Sequence, residues 1–104
     1  MSPSDYYQIL RQYADEVTKS GLVVKELYFF GSRAKGEENK GSDMDVCVVS
    51  KDFSGDRVED MKRLYKLARN VSVLIEPHAF LPEDFDDKYN FLAQEIKRSG
   101  VKVI

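Results

Sequence analysis

Two aspartates one residue apart, Asp43 and Asp45, close a glycine-rich stretch that opens Gly31-Ser32-Arg33-Ala34-Lys35-Gly36. On an extended chain alternate side chains share a face, so both carboxylates point one way while Met44, Val46 and Val48 point the other, into a core. Like charges so placed repel, and either solvent screens them or a cation neutralises them. A hard divalent ion such as Mg²⁺ takes carboxylate oxygens, waters and phosphate oxygens, so an Asp-x-Asp pair at the start of a strand makes sense as a metal clamp. The other end of the stretch suits an anion. Gly31 lets a phosphate approach the backbone, Ser32 offers a hydroxyl, and a short helix starting near Ser32 would aim its first N–H groups outward. Arg33 and Lys35 add positive charge. Singly, Gly-Ser is an ordinary turn and Asp-x-Asp a solvated start of a strand. Together on consecutive strands they describe one site, with phosphates at one end and the bridging metal at the other.

The elements that must position this stretch are visible on either side. Residues 5–19 carry Tyr6, Ile9, Leu10, Tyr13, Ala14 and Val17 at three-four spacing, which predicts an amphipathic helix, with Ser4 as its N-cap and Gly21 as its stop. Residues 26–30 form an apolar, aromatic run that predicts a buried strand, and 43–49 a second strand. A polar turn with Gly55 leads to a helix over 57–69, with Val58, Met61, Leu64, Tyr65 and Ala68 at helical spacing. Val71 to Glu76 reads as a third strand halted by Pro77. Residues 84–98 read as a last helix with Phe85, Tyr89, Leu92 and Ile96 on one stripe, capped by Gly100, and Val101 to Ile104 as a short final strand. The fold class is α+β (α/β), a small mixed β-sheet packed by helices.

Bulk composition narrows the class. At 104 residues, 42 % hydrophobic and 33 % charged, the chain predicts one globular domain over 1–104 with a charged surface. A net charge of −2 speaks against an extended nucleic-acid footprint. Cys47 is the only cysteine, which excludes an internal disulfide and a cysteine-built metal site. The opening residues lack a signal-peptide pattern and no apolar run approaches a membrane span, so the expectation is a cytoplasmic protein with no membrane partner.

Gly31-Ser32, ten intervening residues and Asp43-x-Asp45, each half bordered by an apolar run, resemble the signature of the DNA polymerase beta-like nucleotidyltransferase superfamily. Arg33, Ala34, Gly36 and Ser42 fit the same pattern, and the short length is similar to the minimal nucleotidyltransferases of HEPN–MNT toxin–antitoxin pairs. The segment Ile75-Glu76-Pro77-His78-Ala79-Phe80 also resembles one found in some of these small proteins. The resemblance implies the polymerase beta-like catalytic fold. It implies transfer of a nucleoside monophosphate, AMP from ATP or another nucleoside triphosphate, to an acceptor hydroxyl, with two Mg²⁺ ions. Asp43 and Asp45 would bind metal, and Gly31, Ser32 and Arg33 the nucleotide. The implied partner is a small helical HEPN-type toxin encoded nearby, neutralised by binding and by AMP on a hydroxyl such as a tyrosine's. A binding antitoxin acting by occlusion, and a transferase for a small-molecule or RNA acceptor, are the alternatives.

The superfamily places a third acid on a neighbouring strand. Ser72, Leu74 and Glu76 share a face of the predicted third strand, and Glu76 is the only acid among them, so it is the candidate third catalytic and metal-binding residue. The lone histidine, His78, follows Pro77 and reads as a surface or packing residue in a loop. Cys47 reads as a buried inert thiol, Tyr28, Phe29 and Phe30 as core. Glu83, Asp84, Asp86 and Asp87 read as the acidic first turn of a helix.

Overall fold

The computed structural model describes residues 3–31, 34 and 44–104. Ser32, Arg33 and Asp43, and any helix starting near Ser32, lie outside the described residues. Helix α1 spans Pro3–Lys19, strand β1 Glu26–Phe30, β2 Met44–Val49, helix α2 Arg57–Ala68 and β3 Ile75–Phe80. Two short helices, α3 Pro82–Phe85 and α4 Phe91–Ser99, and strand β4 Val101–Lys102 complete the order. The sheet order is β3-β2-β1-β4, with β2–β3 parallel and the other two pairs antiparallel.

Period-two alternation sorts the strands between two layers of helix. Leu27 and Phe29 of β1, Met44, Val46 and Val48 of β2, and Ile75 of β3 pack with α1 and α2. The inward stripe of α1 (Tyr6, Leu10, Tyr13, Ala14, Val17) is buried as its spacing predicts, and the Tyr13 hydroxyl donates to Leu64 O at 2.9 Å, tying α1 to α2. On the other face Phe30, Cys47, Val49 and Phe80 pack with Phe85 of α3 and Ala93 and Ile96 of α4.

Four sequence expectations change. The helix α1 already includes Pro3, so Ser4 lies inside its first turn and is not the N-cap. Helix α2 turns Asp60, Leu64 and Ala68 inward and leaves Val58 and Tyr65 exposed. Asp60 takes an inward place because its carboxylate accepts from Ser54 N and Oγ and from Gly55 N, holding the turn ahead of the helix. The third strand runs over Ile75–Phe80, not 71–76. Val71 and Ser72 instead wrap the end of α2, both amides donating to Ala68 O, and the Ser72 hydroxyl accepts from Leu74 N. Pro77 does not halt β3 because β3 is an edge strand. Leu74 O accepts from Met44 N and Phe80 O from Ser50 N, just past the end of β2, so the even-numbered groups face the ladder and the amide that Pro77 lacks would point outward.

The predicted last helix is divided as well. Asp87 Oδ1 accepts from Tyr89 N, and Asn90 Oδ1 accepts from Ala93 N as the N-cap of α4. Tyr89 therefore leaves the buried stripe while Phe85 and Ile96 stay on it. Glu83 and Asp84 do occupy the first turn of α3, and Gly100 is the C-cap of α4. No described helix is long and apolar enough to cross a membrane.

Candidate functional site

Parallel pairing of β2 with β3 builds the site. Its register sets Asp45 beside Glu76 and Cys47 beside His78, and alternation turns all four toward the α3–α4 face. Asp45 and Glu76 are each the second residue of their strand, while α3 and α4 pack farther along, over Val49 and Phe80. The near end of this face is thus left partly open, and Asp45, Glu76 and His78 are all half-buried.

Strand β1 runs antiparallel to β2 and brings its last residue, Phe30, opposite Asp45, so Gly31 follows directly at the carboxylate. Gly31 has φ +84°, a left-handed conformation that favours glycine. A side chain here would also collide with Asp45: an added Cβ would lie on Oδ2 and 3.2 Å from Cγ. Gly31 is therefore demanded twice, by its backbone angle and by the carboxylate it accommodates.

Carboxylate oxygens of Asp45 and Glu76 and a ring nitrogen of His78 lie within 4.8 Å of one another. His78 Nε2 is 3.4 Å from Asp45 Oδ1, and its ring rests on Phe30 with centroids 5.1 Å apart. Two carboxylates and an imidazole converging on one point form a donor set that a divalent cation would satisfy. Cys47, one step deeper, is fully buried; burial, with a smaller push from Glu26, raises its thiol far above the ordinary range and keeps it inert.

Of the residues singled out from sequence, the structure brings Gly31, Asp45 and Glu76 together, while Ser32, Arg33 and Asp43 lie outside the described residues. Glu76 was expected at the end of a strand; it stands near the start of one, level with Asp45. His78 is the residue that the sequence reading missed. It belongs to strand β3 rather than a loop, and the signal was its two-residue spacing from Glu76 across a proline.

Comparison with known proteins bears on the family and the fold. The nucleotidyltransferase domain family matches residues 10–103, and the chain belongs to that family of enzymes. Among solved structures, it is similar to a Sulfolobus solfataricus protein described as a candidate nucleotidyltransferase. That likeness has a TM-score of 0.61 at 23 % identity and covers 92 % of this chain and 77 % of that one. It is also similar to a chain in a toxin–antitoxin complex with AMP-PNP, at TM-score 0.62 and 17 % identity, covering 94 % of this chain and 72 % of that one. At these identities the likeness concerns the fold. No curated protein matches the chain significantly.

Proposed function

We propose that this protein is a Mg²⁺-dependent nucleotidyltransferase that moves AMP from ATP to a hydroxyl of a partner protein, a tyrosine of a HEPN-type toxin, and so acts as an antitoxin. The observation that carries the proposal is the pairing of Asp45 with Glu76 across β2 and β3, with Gly31 against Asp45, in a chain of the nucleotidyltransferase family. Asp45 and Glu76, with Asp43, would hold the ions, whose charge would offset that of the phosphates and polarise the acceptor oxygen. Gly31, Ser32 and Arg33 would hold the triphosphate. In the reaction the acceptor oxygen bonds to the α-phosphorus, the bond to the bridging oxygen breaks, pyrophosphate leaves and the hydroxyl proton passes to a carboxylate or water.

Two observations support a protein acceptor. One similar structure is a toxin–antitoxin complex with an ATP analogue. Exposed Tyr7 on α1 and Val101 on the β4 edge supply apolar surface. The test is intact-mass spectrometry of the protein encoded beside this one, incubated with this chain, Mg²⁺ and each nucleoside triphosphate in turn. The expected result is a gain of one or more AMP units with ATP. A stable complex without mass gain would replace catalysis by occlusion, and neither complex nor gain would redirect the search to small-molecule acceptors.

A further inference from the structure

Resting on the reading of Asp45 and Glu76 as metal ligands, we propose that His78 is a nitrogen ligand of the same site, and that it turns the site toward a first-row transition ion such as Mn²⁺ in preference to Mg²⁺. The fold makes the placement. Alternation along β3 sets His78 two residues from Glu76 on one face, and Phe30 supports the ring from β1. The ring nitrogen that faces Asp45 is Nε2.

The distances suit shared coordination better than a hydrogen bond. Donors at right angles around an ion roughly 2.1 Å away lie about 3 Å apart, and opposed donors about 4.2 Å. Here Nε2 and Oδ1 are 3.4 Å apart, and the three donor atoms span at most 4.8 Å. Small side-chain rotations would close the set on an ion. By contrast, 3.4 Å is long for an N–H···O bond, so direct pairing with Asp45 is a weak reason for the ring to stand there. Ligand chemistry then gives the selectivity. Imidazole suits the later first-row ions best, and Mn²⁺, although it also takes oxygen donors, accepts an imidazole more readily than Mg²⁺, which strongly prefers oxygen, so a nitrogen donor shifts the site away from Mg²⁺. A histidine that only offset the charge of Asp45 would leave no nitrogen at the metal.

The chain holds a single histidine, so His78 can be isotopically marked without touching any other position. The experiment is pulsed electron paramagnetic resonance on the full chain loaded with Mn²⁺, with unlabelled and with ¹⁵N-labelled histidine. The expected result is a ¹⁴N coupling of a directly bound imidazole that converts to ¹⁵N on labelling. It should vanish in His78→Gln, checked for folding by circular dichroism. In that variant Mn²⁺ affinity should fall about tenfold or more, and Mg²⁺ affinity should change much less. Mn²⁺ bound without nitrogen coupling would overturn the role of His78 and leave the carboxylate site standing. Failure of Mn²⁺ to bind would overturn both.

Discussion

Strand β2 has two faces made under opposite rules. Toward α1 and α2 it presents Met44, Val46 and Val48, all fully buried in one apolar cluster. Toward α3 and α4 it presents Asp45, Cys47 and Val49, and only the last two are sealed. Among the described residues the short helices cover the far end of that face and leave the near end half-buried, where the strand can hold charge. One strand therefore serves as scaffold on one side and as site on the other, and the two roles should separate under mutation.

The largest effect is expected at the open end. Asp45→Asn, alone or with Asp43→Asn, should lower nucleotidyl transfer by roughly a thousandfold, the rate equivalent of several kcal/mol of lost charge stabilisation. Its melting temperature should stay level or rise slightly, because a carboxylate beside Glu76 is removed. A variant with full activity would break the comparison by taking the metal away from Asp45.

On the sealed side the order reverses. Leu64→Ala, which empties a fully buried position against the sheet, should cost about 2–5 kcal/mol in denaturant unfolding. The folded fraction should retain its turnover. A loss of turnover without a loss of stability would show that the helical layer shapes the site more directly than its position suggests.

Gly31→Ala lies at the boundary and should show a smaller change of both kinds. The left-handed backbone angle costs an alanine about 1–2 kcal/mol, and its methyl group would push the Asp45 carboxylate aside. Stability and activity should therefore fall together, measured by thermal melting and by transfer rate on one sample. Unchanged activity would mean that Asp45 tolerates displacement.

Legibility from sequence followed the range of the forces involved. The stripe of α1 and the strands β1 and β2 were readable because local periodicity and neighbouring residue types carry them. The site stretch was readable as a spacing of glycine, serine and aspartates, although only Gly31 and Asp45 of that pattern fall among the described residues apart from Ala34. The break between α3 and α4 was missed because Phe85, Leu92 and Ile96 keep helical spacing across a turn held by Asp87 and Asn90.

Glu-Pro-His was the instructive failure. A proline ends a strand only where its amide is needed, and that depends on which edge of the strand meets a neighbour. The sequence by itself determined the layered sheet, the inward and outward faces of β2 and the presence of a candidate phosphate-and-metal stretch, since each rests on local chemistry and period. Only the tertiary structure decided that β3 lies on the edge beside β2. That pairing set Glu76 level with Asp45 and brought His78 to the same point, because strand register is fixed by contacts between residues far apart in the chain.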